Sequence, residues 1–137
     1  MPRSIAQVAG FMQKQQVASF CTVDIHNRPH VVPVFFTYEN NKVFIHTDRK
    51  SQKVHNLLKN PHVALTVYSG GHGEEAVIIR GKARIVDNEE FVSRTQQHIE
   101  KYQIQLDNEG KDSMGIGCFD SVVRCVVEIS TDRLIYW

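Results

Sequence analysis

The segment Phe44-Ile45-His46-Thr47-Asp48-Arg49-Lys50-Ser51-Gln52-Lys53 carries the chain's most usable chemistry. Two hydroxyls, Thr47 and Ser51, lie among three cations, Arg49, Lys50 and Lys53. The alternation before Thr47 predicts a strand that ends there, and the SQKVHNLLK run predicts a helix over 51–59. A helix start offers unpaired N–H groups and the positive end of the helix dipole. Thr47 and Ser51 add neutral donors, and Lys53, in the first turn, adds a full positive charge. A cation there is unfavourable for the helix itself. It makes sense if an anion sits at the same place, such as a phosphate with about two negative charges. A plainer account stays open on the residues alone: Ser51 caps the helix and the three cations are solvated. No Walker motif or GxGxxG run accompanies the segment.

Other chemistry finds less support. His26 and His30 are four residues apart, but Pro29 and the surrounding turn residues argue against a helix. Neither HExxH nor a Cys/His zinc spacing occurs, so no metal site is expected. His62, opening a strand, and His98, on a helix, read as structural, and His72 sits in a Gly-rich loop. Cys21, Cys118 and Cys125 form no CxxC pair, and an odd number excludes a full disulfide framework. They read as reduced thiols, two of them on strands and buried. Glu74-Glu75 and Glu89-Glu90 are adjacent pairs whose side chains point apart, which does not suit paired acid–base work. No nucleophile motif such as G-x-S-x-G appears.

The elements that must position the segment follow from patterning. Ser4 with Gln7 is a capping-box pair opening a helix over 5–15. Strands are predicted over 17–24, 30–38 and 42–47 as an antiparallel meander, with Pro33 marking an edge or a bulge. The helix over 51–59 turns Val54, Leu57 and Leu58 inward and stops at Asn60-Pro61. Strands follow over 62–68 and 76–86, with Gly81 as a bend in the second. Asp87 opens a helix to about Tyr102, with Phe91, Val92, Thr95, His98 and Ile99 on one side. Residues 104–118 read as a loop, 121–129 as a sixth strand, and Thr131-Asp132-Arg133 as a turn.

These elements predict an α+β, mainly β chain: a six-stranded antiparallel barrel with peripheral helices. With 137 residues, 42% hydrophobic and 23% charged, it reads as a single domain over 1–137. Sixteen basic and fifteen acidic side chains leave a formal charge of +1, so no global field invites nucleic acid or an anionic membrane. Met1-Pro2-Arg3 leads straight into an amphipathic pattern without a signal-peptide core, and no apolar run approaches the roughly 18 residues of a spanning helix. The expected location is the cytoplasm.

In order along the chain, several stretches resemble the pyridoxamine 5′-phosphate oxidase-like, FMN-binding split-barrel family. They are the N-terminal helix, VASFCTVD, Arg28-Pro29-His30-Val31-Val32-Pro33-Val34, Val43 to Thr47, Ser51-x-Lys53, Asn60-Pro61-x-Val63-Ala64-Leu65 and Arg80-Gly81-Lys82-Ala83. The resemblance covers residues 5 to 86, and its strength lies in the ordered series. It implies a split barrel in which Val32, Pro33 and Val34 run along the flavin ring. It also implies that His46 and Thr47 lie near the ribityl phosphate, and that Ser51, Gln52 and Lys53 hold the phosphate. Gln52 stands where the family has an Arg, and Arg49 is its expected substitute. The resemblance further implies a homodimer with the flavin at the subunit interface. Trp137 would then pack on the partner or near the flavin. The Arg-rich C-terminal substrate motif of the true oxidase has no counterpart here. The expectation is therefore a general family member: an FMN-dependent oxidoreductase acting on a small molecule or redox partner, with the catalytic residues unassigned. The alternatives are a non-catalytic flavin carrier or store, a protein that takes the deazaflavin F420, whose acidic tail Arg49, Lys50 and Lys59 would meet, and a haem binder.

Overall fold

A computed structural model describes residues 4–70 and 75–136. The predicted His72 loop tip and Trp137 lie outside the described residues. The chain opens with α1 (Ile5–Lys14), where Gln7 N donates to Ser4 Oγ at 3.2 Å and Ser4 N donates to Gln7 Oε1 at 2.7 Å. This is the predicted capping box, and α1 buries Val8, Phe11 and Met12. Then come β1 (Val17–Val23) and β2 (Pro29–Phe35), paired antiparallel from Val17 opposite Phe35 to Val23 opposite Pro29. Asp24 folds the turn between them by accepting from His26 N and Arg28 N.

The predicted strand over 30–38 is divided. β2 ends at Phe35, and a separate β3 (Thr37–Glu39) pairs with β4 (Lys42–Asp48) across Asn40 and Asn41, both at positive φ. Two left-handed residues are what a tight hairpin turn needs, and Asn tolerates that region. The expected three-strand meander is thus two hairpins in different parts of the sheet. The cause is Phe36, fully buried and clamped from far along the chain. Its N–H donates to Tyr102 Oη at 2.9 Å, and its carbonyl accepts from Lys101 Nζ at 2.8 Å.

After α2 (Gln52–Lys59) come β5 (His62–Ser69) and β6 (Glu75–Ile85), then α3 (Asn88–Tyr102), β7 (Arg124–Ile129) and β8 (Arg133–Tyr136). The sheet order is β2-β1-β5-β6-β7-β4-β3, with β8 on β6 and every pair antiparallel. There are eight described strands instead of six, because the second strand divides and the predicted terminal turn continues into β8. The architecture is the α+β split barrel expected from the sequence. β6 joins its two halves, pairing with β5 and β8 up to Lys82 and with β7 from Ala83. Gly81 stands at this switch. A Cβ there would lie 1.6 Å from the Ser130 carbonyl oxygen, so the close crossing needs glycine.

The main core joins α1 to the inner faces of the strands through Met12, Phe20, Phe36, Ile45, Val77 and Ile129. A smaller cluster of Phe44, Val86, Phe91 and Val126 seats α3. Two helix faces differ from the prediction. Leu58 is exposed, and Asn56 takes the inward place, donating from Nδ2 to Thr22 Oγ1 at 2.9 Å. Val92 is also exposed. Residues 121–123 form a turn held by Asp120, so β7 begins at Arg124 instead of Ser121. The three cysteines are free, but the buried pair is Cys118 and Cys125, while Cys21 is half-buried. No helix of the described residues is long and apolar enough to cross a membrane.

Candidate functional site

The end of β4 and the start of α2 border a cavity of about 340 Å³. β2 supplies Pro33, Val34 and Phe35, and β4 supplies His46 and Thr47. Lys53 enters from α2, His98 from α3, Arg124 from β7, and Asp112 and Cys118 from the long excursion before β7. β2 is an edge strand that pairs with β1 alone among the described strands, which is where a proline is tolerated.

Of the residues expected from the sequence, Pro33, Val34, His46, Thr47 and Lys53 share this cavity. Ser51 is the N-cap of α2, immediately before its first turn. Its side chain does not line the cavity, and three other expected residues also do not. Val32 packs against the main core and does not line the cavity. Arg49 donates from Nε to the Ser121 carbonyl at 3.0 Å, and its backbone N donates to Val123 O. It fastens the turn before β7 instead of replacing a phosphate ligand. Gln52 donates to Asn56 Oδ1 at 2.7 Å, one helical turn on, and faces a different groove with Asp24, Lys50 and Lys59.

The polar groups at the cavity and at the adjoining start of α2 are incompletely satisfied. Ser51 makes no side-chain cap bond to α2, and its Oγ is buried without a partner. Arg124 Nε is likewise buried and unpartnered. Lys53 is half-buried and makes no ion pair among the described residues; burial pulls its ammonium below the usual lysine range. Buried polar atoms are normally paired, so several such atoms around one cavity call for a specific cause. Among the described residues the one carboxylate lining it is Asp112, whose Oδ1 already accepts from Met114 N and Ile116 N. The cavity therefore presents donors and positive charge, which suits an anionic oxygen cluster such as a phosphate.

One wall is a file of rings. His46 stacks on Phe91 at 6.1 Å and on His98 at 5.0 Å; His98 meets Tyr102 at 5.0 Å, and Tyr102 meets Phe35 at 5.0 Å. His46 Nε2 lies 2.8 Å from the Cys118 carbonyl oxygen. Burial lowers both histidines, and His98 falls to about 4, helped by His46, Lys101 and Arg124. Burial raises the Cys118 and Cys125 thiols, so neither is an activated nucleophile.

Sequence reasoning missed Arg124 and read His98 as structural. Arg124 had a signal: it is a cation opening a strand that is apolar apart from Glu128. His98 had a weaker one, a polar ring on the buried face of α3.

The fold is a split barrel, and its cavity presents cationic and donor groups that complement an anion. The chain belongs to the pyridoxamine 5′-phosphate oxidase family, whose model matches residues 5–131. No curated protein matches the sequence. Several solved structures share the fold. The conserved hypothetical protein Rv2991 from Mycobacterium tuberculosis superposes with a TM-score of 0.84 at 24% identity, over 100% of this chain and 86% of that one. HutZ, the haem storage protein from Vibrio cholerae, gives 0.76 at 17% identity, over 98% and 94%. An F420 reductase gives 0.74 at 17% identity, over 98% of both chains. The fold therefore serves both a reductase and a haem store, and the ligand has to be argued from this chain's own cavity.

Proposed function

We propose that this chain binds FMN and works in the cytoplasm as a flavin-dependent oxidoreductase on a small molecule, as a homodimer. The observation that carries the reading is a set of groups without partners at the cavity and the adjoining start of α2: Lys53 and Arg124 Nε on the cavity wall with Thr47, and Ser51 Oγ at the N-cap. A phosphate would satisfy them together and would complement the uncapped start of α2. Lys53 and Arg124 would supply the charge, and the edge strand from Pro33 to Phe35 would lie along the planar ring. FMN, when bound, supplies hydride or single-electron chemistry. The chain's own work is to hold the phosphate, orient the ring against β2 and keep water from the cavity. Exposed Val31 and Phe35 on β2, with Met114, Val122 and Val123 nearby in the chain before β7, give apolar surface for a second subunit.

Two other readings have specific support. Every titratable ring or thiol of the cavity is pushed away from neutrality: His46 and His98 downward, Cys118 upward. No ready general acid results, which favours a non-catalytic flavin carrier or store. A second groove lined by Arg28, Lys50 and Lys59 favours a cofactor with an acidic tail, such as F420.

Mass spectrometry of the ligand that co-purifies, with titration by FMN and F420, separates these. FMN at one per chain supports the reading, and F420 alone replaces it. Protein that binds neither overturns every flavin reading, and an absorption band typical of haem redirects it. NAD(P)H turnover with a panel of acceptors separates an enzyme from a carrier. Light scattering reads the oligomeric state.

A further inference from the structure

His98 is more than nine-tenths buried, yet neither of its ring nitrogens bonds to a described residue. Its ring packs against those of His46 and Tyr102, each at 5.0 Å between centroids. Tyr102 is itself pinned, with Oη 2.6 Å from Gln16 O and 2.7 Å from Phe36 O. Nδ1 is sealed from solvent without a partner, which leaves Nε2 as the nitrogen open to the cavity that His98 lines.

The position of the proton follows. A neutral imidazole carries one N–H and one lone pair. An N–H sealed away from any acceptor is among the rarest arrangements in folded proteins, whereas an under-satisfied acceptor is better tolerated. The proton therefore belongs on Nε2, facing the cavity. His46 reaches the same tautomer by a different route, since its Nε2 faces the Cys118 carbonyl. Burial holds the His98 ring neutral well below neutral pH, so the donor carries no charge of its own.

We propose that His98 is a ligand-contacting residue, donating a hydrogen bond from Nε2 to an oxygen acceptor on the molecule that fills the cavity. This rests on the flavin reading above, and the acceptor is either a phosphate oxygen or a ring carbonyl of FMN. His98 joins Lys53, Arg124 and Thr47 as a side chain that can donate to a ligand in a cavity with one carboxylate among its described lining residues.

The test uses the full chain and two probes, FMN and riboflavin, followed by flavin fluorescence. His98→Phe keeps a ring between His46 and Tyr102 and removes both nitrogens. His98→Gln restores an N–H donor near the Nε2 position. FMN affinity should fall about tenfold in His98→Phe and recover most of that loss in His98→Gln. A parallel loss for riboflavin places the acceptor on the ring, and a loss confined to FMN places it on the phosphate; either supports the proposal. A long-range ¹H–¹⁵N spectrum of the ligand-free protein at neutral pH should show the His98 proton on Nε2. Unchanged FMN binding by a folded His98→Phe protein overturns the proposal and leaves the flavin reading standing, and a proton on Nδ1 also overturns it. Wild-type protein that binds no FMN defeats both.

Discussion

The starts of α2 and α3 solve the same problem in opposite ways. α3 begins with Asp87, whose carboxylate accepts from Glu90 N at 2.9 Å, and its first turn carries Glu89 and Glu90. Cap and charge both complement the helix dipole. α2 begins with Ser51, which caps nothing, and places Lys53 in its first turn with no acidic residue there. By the rules that satisfy α3, α2 is left unfinished. The difference teaches what each helix start is for. The first is complete within the chain, and the second leaves its N-terminal groups and Lys53 without a negative partner, as the phosphate proposed above would require.

Four measurements break or sharpen that contrast. The largest effect expected is on acid stability and belongs to α3. His98 has a folded-state pKa of about 4 against an ordinary 6.5. Between those values the unfolded chain takes up a proton that the folded chain refuses. Stability is therefore whole above about pH 6.5 and is lost as pH falls toward 4, by roughly 3 kcal/mol in the absence of ligand. His46 shifts in the same direction. Denaturant titrations across this range should show the slope, and His98→Phe should remove most of it.

Next is Lys53→Ala, which should weaken FMN binding by about 30-fold to 100-fold, the scale of a charge-assisted contact. The melting temperature of the ligand-free protein should hold or rise, because a half-buried cation leaves a helix start. A melting temperature that drops while FMN affinity stays put would show α2 to be an ordinary structural helix. Third, Asp87→Ala should cost about 1 kcal/mol of stability with no change in FMN affinity. Ser51→Ala is the smallest and has the reverse pattern: stability within about 0.5 kcal/mol of wild type, and FMN affinity lower by a few-fold.

Much of the scaffold could be read from local signals. The capping box of α1, the edge position marked by Pro33, the stop at Asn60-Pro61 and the special place of Gly81 all rest on backbone rules acting over a few residues. The division of β2 from β3 could not be read that way. The string HVVPVFFTY is uniformly β-prone, and the break at Phe36 is imposed by Lys101 and Tyr102, 65 and 66 residues away. Leu58 and Asn56 traded places for a similar reason: helical periodicity favours the apolar residue, but the buried Thr22 hydroxyl gives Asn56 a partner. The candidate site divides in the same manner. Thr47, Ser51 and Lys53 were visible because they fall within seven residues at a strand–helix junction. Gln52 and Arg49 lie in the same stretch, yet their direction depends on Asn56 and on the Ser121 carbonyl.

By itself, then, the sequence determined the element types, the family-like order of motifs and a cationic helix start suited to an anion. These depend on spacing, capping and local charge, which act between near neighbours. The tertiary structure decided which of those residues meet. It brought Arg124 and His98 to Lys53 across two strands and a helix, turned Arg49 and Gln52 away, and left Ser51 Oγ and Arg124 Nε buried without partners. Burial and hydrogen-bond satisfaction are properties of atoms from distant segments packed together, and no local pattern encodes them.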